Sequence, residues 1–515
     1  MQLAPVRPRV ATIAQVFIME PFYGSDHENT SNARVTATPS SANPVPPAIV
    51  DRLKAVVGPS GYFDAPADTD PYCRSWRDDW YGRVPLVLRP ASTAEVSEIV
   101  AICAETRMPI VPQGGNTGLT GASQPGADMS EVIVSTSRLS RIRSIDTFND
   151  TLTVEAGVVL ADIQALAAEQ DRLFPLSLGA EGSCQIGGNI STNAGGTQVL
   201  RYGPMRNLVL GLEVVLPDGR VWDGLRALRK DNAGYDLKHV FIGAEGTLGI
   251  ITAAVLRLFP RPTSVETAWV GAGSAQAAVR LLDHMKSRLG DQLSAFELMR
   301  RSIIEFLLVG VPSHQDPLPD PHPWYILVEV SGTDPPGTLA EPFAAALASA
   351  MEAGLVRDAV IASSGAQAKR FWKMRDDLAE AQKSAGGSVA HDVSVPISRL
   401  GEFIARADAG LEHAYPGIRH CAFGHVGDGN LHYNPVRPPT WDAPRFRAER
   451  EKINKIVHDI VIEIGGSISA EHGIGRLRLA DHERYKSPVE LDLMRSLKRA
   501  LDPLNIMNPG KVVRI

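Results

Sequence analysis

Two short stretches carry the side chains best suited to chemistry. The first is Phe423-Gly424-His425-Val426-Gly427-Asp428-Gly429-Asn430-Leu431-His432-Tyr433-Asn434, and the second is Ser469-Ala470-Glu471-His472-Gly473. Asp428-Gly429 is a type I′ hairpin signal, because both central residues need positive φ and these types tolerate it, and it lies between two short β-prone runs. Counting outward from that tip pairs Gly427 with Asn430, Val426 with Leu431 and His425 with His432. Directly opposed side chains of an antiparallel pair have Cβ atoms roughly 5 Å apart, near enough for two imidazoles to share one ion. Asn434, two residues beyond His432, projects from the same face and brings an amide beside that ion. The bland alternative is a pair of stacked histidines on a sheet whose glycines only close a turn. Cys421 shares the face of His425 but is too far along the strand to ligate, and reads as core.

Arg375 is the third element of interest. Over residues 367–383, Phe371, Met374, Leu378 and Gln382 recur at helical spacing, and Arg375 falls inside that stripe. An arginine that faces a core needs a partner. Either an Asp or Glu of the protein supplies it, or the planar guanidinium is a clamp for a substrate carboxylate.

Composition bounds the possibilities. A chain of 515 residues with 44% hydrophobic and 21% charged content fits two to four globular domains. The balance of 52 basic against 58 acidic residues, a net −6, provides no basic stripe, which argues against a nucleic-acid partner. Cys73, Cys103, Cys184 and Cys421 are scattered, so neither a disulfide framework nor a thiolate zinc site is indicated, and a reducing compartment fits. No apolar run approaches the ~20 residues of a transmembrane helix. Residues 1–46 hold a short apolar segment and then a Pro/Ser/Thr/Asn-rich run, which reads as a disordered tail rather than a signal peptide. Arg7, Arg9 and Arg34 leave organelle targeting open, so the expected location is cytoplasmic, or the mitochondrial matrix in a eukaryote.

The elements that must position these residues follow in order. Residues 86–90 read as a strand, and Ser92 with Glu95 makes a capping box for a helix to about Thr106. Residues 109–112 form the next strand and open into Gln113-Gly114-Gly115-Asn116-Thr117-Gly118-Leu119-Thr120-Gly121. Glycines let backbone N–H groups approach a phosphate closely, so an anion cradle is the functional reading and a flexible loop the alternative. The pattern is neither G-x-G-x-x-G nor a P-loop. A second glycine-dense region runs from Gly179 through Gly182-Ser183-Cys184-Gln185-Ile186-Gly187-Gly188-Asn189-Ile190-Ser191-Thr192-Asn193-Ala194-Gly195-Gly196 to Tyr202-Gly203. Strands are expected at 131–135, 151–155 and 208–216, making a layered α+β unit. Pro260-Arg261-Pro262-Thr263 is a breaker cluster and a domain boundary. Beyond it, a strand at 324–330 and helices at 275–287 and 341–353 suit an antiparallel sheet covered by helices. Residues 312–323 form a loop whose His314 and His322 read as solvent-exposed.

With Gly243-Ala244-Glu245-Gly246-Thr247-Leu248-Gly249-Ile250, the two glycine regions resemble the FAD-binding half of vanillyl-alcohol-oxidase type flavoproteins. Adding the His425 and Glu471 motifs and Asn508-Pro509-Gly510-Lys511, residues 50–515 resemble the FAD-linked D-2-hydroxyacid dehydrogenase branch, which includes the D-2-hydroxyglutarate and D-lactate enzymes. The resemblance implies an α+β protein: a two-subdomain FAD-binding domain at 47–262, an antiparallel α+β cap at 263–455, and a segment at 456–515 that returns to the flavin domain. It further implies FAD contacts at Pro112, Gln113, Gly114, Gly115, Asn116, Thr117, Gly118, Leu119, Gly121, Gly182, Ser183, Gly187, Gly188, Ser191, Thr192, Asn193, Gly195, Gly196, Tyr202, Gly203, Glu245, Gly246, Gly249, Ile250 and Asn508. Relatives with covalent flavin carry a His where this chain has Asn116-Thr117, so the FAD is expected to be non-covalent.

Adjacent Glu471 and His472 point in different directions, so one can bind metal while the other faces substrate. The expected ligands are His425, His432 and Glu471, a set that suits Zn²⁺ among divalent ions, with His472 as general base. The family's substrate-binding arginine falls at Arg375, and Asn434 joins it. Ala379 and Ala390 replace a hydroxyl residue and a lysine that help hold substrate in hydroxyglutarate dehydrogenases. The expected reaction is oxidation of a D-2-hydroxyacid, with electrons passed to an external acceptor, a quinone or an electron-transfer flavoprotein, and a homodimer is the candidate assembly. The alternatives are an oxidase, a glycolate-type dehydrogenase subunit, or a non-redox flavoenzyme of the same fold.

Overall fold

The computed structural model describes residues 45–76 and 80–515. The expected N-terminal tail therefore lies outside the described residues, except for Val45, which is buried, and Pro46, which precedes the first helix Pro47–Val57.

The first half holds two larger sheets and a two-stranded one, Arg172–Leu173 with Phe259–Pro260. In the first of the larger sheets, Val87–Leu88, Val132–Ser135 and Ile110–Gln113 run parallel, with Tyr62–Phe63 antiparallel at the edge. Val132–Ser135 is buried along its whole length, as a parallel strand covered on both faces must be, and its sequence is correspondingly apolar without alternation. The Ser92 side chain caps the helix Thr93–Thr106 by accepting from Glu95 N at 3.2 Å. Glu95 completes the box one residue early, accepting from Ala91 N at 2.8 Å. The second sheet is antiparallel, ordered Ile142–Asp146, Thr151–Glu155, Ile250–Arg257, Val209–Val215, Val221–Gly224.

The second half is built on seven antiparallel strands in the order Asp358–Ile361, Ser264–Ala272, Trp324–Gly332, Leu293–Arg300, Ala422–His425, Asn430–Tyr433, Asp392–Ser394. Period-two alternation sends successive side chains to opposite faces. Ile326, Val328 and Val330 join a core with the helices Ala275–Leu289, Ala340–Glu352, Leu400–Ala414 and Arg450–Glu463, while Tyr325 and Leu327 pack with Arg301–Gly310 and Gly365–Asp376.

Four expectations need correction. The hairpin register is Phe423 opposite His432 and Ala422 opposite Tyr433, two residues away from the count based on a two-residue tip. The turn is longer because the Asp428 side chain serves its own backbone, accepting from Asn430 N at 3.0 Å, while Asp428 N and Gly429 N donate to the carbonyls of His425 and Val426. The single helix expected at 367–383 is two, Gly365–Asp376 and Leu378–Ser384, parted at Asp377, whose carboxylate is held by Lys373 and His314. The loop histidines are not solvent-exposed: His322 is buried, and His314 Nε2 donates to Asp377 at 2.8 Å with only a tenth of its side chain accessible.

The chain also leaves the cap later than position 456. Ile453, Val457, Val461 and Ile468 still pack in the cap core, and the crossing comes at residues 470–475. The tail then builds into the first half, where Ile110 N donates to Ile506 O and Asn508 N to Ile110 O. Buried Lys498 donates to Thr247 O, Met507 O and Asp502, tying this tail to the flavin-like half.

Candidate active site

The shifted hairpin register places a carboxylate across from each histidine. His425 lies opposite Glu297 on one neighbouring strand, and His432 opposite Asp392 on another. Both acids are fully buried. The two imidazoles still adjoin along the diagonal, with centroids 5.7 Å apart, because diagonal neighbours on one face remain within reach of large side chains.

Glu297 shares itself between two partners. Its Oε1 accepts from His425 Nδ1 at 2.6 Å, and its Oε2 accepts from Arg375 Nε at 2.8 Å. With Nδ1 donating to Glu297, Nε2 is the ring atom that faces Glu471 Oε1 at 3.7 Å and Arg375 Nη2 at 3.3 Å, and it offers a lone pair only in the neutral ring. Burial alone would depress His425, but the carboxylates of Glu297 and Glu471 outweigh it and hold the ring up at about 9. Burial also acts on Glu297, whose carboxyl is nonetheless held down to about 2 by His425 and Arg375. His432 is different: burial dominates and pulls it down to about 3, a neutral imidazole at any physiological pH. Burial pushes Glu471 up to about 7.

The crossing segment is pinned to Asp392. Its Oδ2 accepts from Glu471 N and His472 N, each at 2.9 Å, and its Oδ1 accepts from Asn430 Nδ2 at 2.9 Å. Burial would raise this carboxyl, yet His472, His432 and the Glu471 N–H keep it well below the carboxylate range. His472 stacks on His432 with centroids 5.8 Å apart, and its Nδ1 lies 3.5 Å from Asp392. Adjacent residues have thus been separated in function: Glu471 turns toward His425, and His472 toward Asp392.

The expected ligand atoms of His425, His432 and Glu471 all lie within 4.8 Å of one another, which fits a two-nitrogen, one-carboxylate cation site. Asp392, His432 and His472 meet the same distance test, but the Asp392 oxygens already accept three N–H donors. Arg375 is brought to the cluster with a protein partner, Glu297. Asn434 is engaged too: its Nδ2 donates to Gln382 Oε1 at 3.0 Å and its Oδ1 accepts from His391 N at 2.9 Å.

A cleft between the two larger sheets of the first half is lined by Pro112, Gln113, Gly114, Gly187, Gly188, Ser191, Thr192, Glu245, Gly246, Gly249 and Ile250, all expected cofactor contacts. Ala122, Ser123, Thr136 and Ile251 complete it. None of these is a lysine or arginine, so a bound pyrophosphate would rest on backbone N–H groups and hydroxyls. Gln113 Oε1 is buried without a partner, as is Asn508 Oδ1, the kind of acceptor that a polar cofactor satisfies. A Cβ on Gly115 would stand 2.1 Å from Ser183 O, so glycine there lets the two glycine regions close on one another.

Several other expected contacts also have partners within the polypeptide. Asn116 donates to Arg74 O at 3.0 Å, Asn193 accepts from Arg206 N at 2.9 Å, and Asn508 donates to Ala122 O and Glu245 O. The Tyr202 ring packs on Phe259, Gly203 sits against Asn207, Ser183 faces Ala180 O, and Gly121 sits against Arg476. Gly118 and Gly182 face open space, and Thr117 and Leu119 are half-buried beside them. Glu245 reaches past the cleft to accept from Ile474 N and Gly475 N, each at 2.7 Å. Gly195 and Gly196 meet the other centre instead: Gly196 N donates to Glu471 Oε1 at 2.8 Å, and a Cβ on Gly195 would stand 2.5 Å from that oxygen.

A buried glycine cleft joined through Gly196 to a histidine–carboxylate cluster defines an FAD-binding flavoprotein with a separate cap. Residues 84–224 match the FAD binding domain family, and residues 261–512 match the family described as FAD linked oxidases, C-terminal domain. The D-2-hydroxyglutarate dehydrogenase of Bos taurus, named as mitochondrial, is 37% identical, with 95% of this chain and 89% of that protein covered. The mitochondrial D-2-hydroxyglutarate dehydrogenase of Arabidopsis thaliana is also 37% identical, over 90% of this chain and 81% of that protein. In fold, the chain is similar to p-cresol methylhydroxylase with a TM-score of 0.70 at 19% identity, covering 91% of this chain and 97% of that one. The chain belongs to the FAD-linked oxidase family, together with the D-2-hydroxyglutarate dehydrogenases.

Sequence reasoning missed Glu297 and attached no role to Asp392. Glu297 had one available signal, a lone carboxylate in the strand Leu293–Arg300 between Phe296 and Leu298, and a charged residue in such a run must be paired.

Proposed function

We propose that this protein is an FAD-dependent dehydrogenase that oxidises a D-2-hydroxyacid to the corresponding 2-oxoacid, with a divalent ion, Zn²⁺ by its donor set, held by His425, His432 and Glu471. The observation that carries the reading is the contact between the two halves, where Glu471 Oε1 accepts from Gly196 N at 2.8 Å while facing His425 Nε2 at 3.7 Å. Bound in the glycine cleft, non-covalent FAD would supply a two-electron acceptor for the C2 hydrogen, and an ion held by His425, His432 and Glu471 would supply positive charge that acidifies the substrate hydroxyl. The residues of the chain do the rest. His472, backed by Asp392, takes the hydroxyl proton at a ring nitrogen. Arg375 presents its guanidinium to the substrate carboxylate, with its Nε edge fixed by Glu297. Asn434 acts with Gln382 to shape the wall beside them. Burial strengthens each of these charge interactions by keeping water away.

Residues 47–262 serve as the FAD-binding domain and 263–455 as the cap, with residues 456–515 completing both. The names of the relatives point to 2-hydroxyglutarate as the first substrate to try, and Ala379 and Ala390 make lactate the second. No helix among the described residues is long and apolar enough to cross a membrane. Reduced FAD would pass its electrons to a quinone or an electron-transfer flavoprotein.

The test is anaerobic flavin bleaching by D- and L-2-hydroxyglutarate, lactate, malate and glycolate, with and without chelator. Bleaching by D-enantiomers alone, abolished by chelator and restored by Zn²⁺, is the expected result. A flavin that no hydroxyacid reduces would overturn the reading in favour of non-redox chemistry, and rapid H₂O₂ formation in air would make the protein an oxidase.

A further inference from the structure

Glu297 touches both the proposed ion ligand His425 and the proposed carboxylate clamp Arg375, and its geometry divides it evenly. It sits on the strand Leu293–Arg300, directly opposite His425, and is 1% exposed. One oxygen takes the Nδ1 proton of His425 at 2.6 Å, while the other takes the Nε and Nη2 edge of Arg375 at 2.8 Å. We propose that Glu297 is a positioning residue that couples ion binding at His425 to carboxylate binding at Arg375, by dividing one negative charge between the two side chains.

The argument has three steps. A carboxylate on the outer nitrogen of a histidine ligand fixes its tautomer and raises its basicity, which typically accounts for about 10–100-fold in ion affinity. The same carboxylate neutralises the guanidinium that would receive the acid, and so weakens the pull of Arg375 on a substrate anion. Finally, Arg375 Nη2 stands 3.3 Å from His425 Nε2, the atom that would face the ion in the neutral ring, so the guanidinium occupies the approach to that nitrogen and its charge opposes a cation there. Anything that turns Arg375 toward a carboxylate clears that approach and frees the Glu297 charge for His425. Acid and ion should therefore bind with positive coupling.

This inference rests on the proposed ion site, and the experiment separates the two. Zn²⁺ binding to the FAD-loaded protein is measured calorimetrically, without turnover. Binding of propionate, which has the carboxylate but no hydroxyl, is followed by flavin absorbance in the presence of chelator. In Glu297→Gln, Zn²⁺ affinity should fall about 10–100-fold, while propionate binds several-fold more tightly than in the wild type. Arg375→Met provides the opposite arm, with propionate binding lost and Zn²⁺ affinity raised. A residue that only supports the fold would weaken both ligands together or neither, and either pattern in Glu297→Gln overturns the proposal. If Glu297→Gln fails to retain FAD, the decision passes to Arg375→Met, where unchanged or weaker Zn²⁺ binding overturns it. Wild-type protein that binds no Zn²⁺ would overturn the proposed ion and the coupling with it, whereas equal Zn²⁺ affinity in wild type and Glu297→Gln would overturn the coupling alone.

Discussion

The glycine cleft and the histidine cluster solve the problem of holding a charged group in opposite ways. The cleft offers mostly backbone and hydroxyls, with no cationic side chain on its wall, and apart from Thr136 its members come from short stretches around 112–123, 187–192 and 245–251. The cluster uses ionisable side chains drawn from five separated places, Glu297, Arg375, Asp392, the hairpin 425–432, and Glu471-His472. Backbone dipoles bind charge without titrating, and the one ionisable residue among those lining the cleft, Glu245, is tied up by Ile474 N and Gly475 N. A cluster of buried acids and imidazoles can exchange protons, and at Glu471, His425 and His432 burial and neighbouring charges move the protonation equilibria in different directions. The first region is suited to holding a cofactor, the second to moving a proton.

The sharpest break in this comparison is expected at His472. His472→Ala should retain FAD, because the residue lies outside the cleft, yet slow the reductive half-reaction by about two to four orders of magnitude, read as the rate of anaerobic bleaching. Bleaching at the wild-type rate would remove proton transfer from the cluster and leave the residue a stacking partner for His432. Asp392→Asn comes next. Its amide would set an N–H against the backbone donors of Glu471 or His472, so Zn²⁺ affinity should drop about 10–100-fold with FAD content unchanged. An equal loss of FAD would mean that the two regions are not separable.

Protons supply a third test. His425 is held at about 9 and Glu471 at about 7, and both must lose their protons to bind a cation. Zn²⁺ competes with these protons, so its affinity should rise as pH increases toward 9, by up to about tenfold per pH unit for each proton displaced. For His432 the sign of the effect on folding is opposite to that for His425. Its folded value of about 3 lies below that of an unfolded histidine, so the folded state binds fewer protons and loses stability as pH falls from about 6.5 toward 3. His425, raised in the fold, contributes stability below about 6.5 that is lost as pH rises through 9. Zn²⁺ titrations and unfolding measurements at a series of pH values would detect both, and a flat profile would show that the cluster does not exchange protons over this range.

How far each region could be read from the chain follows from how it is built. The strand Thr151–Glu155 and the helices Ala275–Leu289 and Thr93–Thr106 lie where local pattern places them, because burial and capping act within a few residues. The histidines, Glu471 and Arg375 were recognisable as types. Their partners were not, because which acid faces which histidine depends on a register set by the Asp428 side chain and on strands more than a hundred residues apart, as for Glu297 and His425. The same long-range packing buries His322, which belongs to a loop by every local signal.

The smallest expected effect tests whether local order matters to chemistry at all. Ser92 caps the helix Thr93–Thr106, with its side chain accepting from Glu95 N at 3.2 Å. That helix packs Val96, Ile99, Val100 and Cys103 into the core behind the strand Ile110–Gln113, which leads into the cleft. Ser92→Ala removes one satisfied N–H at the helix start and should cost about 1 kcal/mol of stability. Ser92 does not line the cleft, and the residues that do are held by contacts of their own, such as Gln113 Nε2 to Tyr72 O and Ser123 O. Thermal unfolding should therefore shift down slightly while FAD content and bleaching rate stay at wild-type values. A loss of FAD instead would show that the cleft, for all its locally encoded parts, depends on distant packing as strictly as the histidine cluster does.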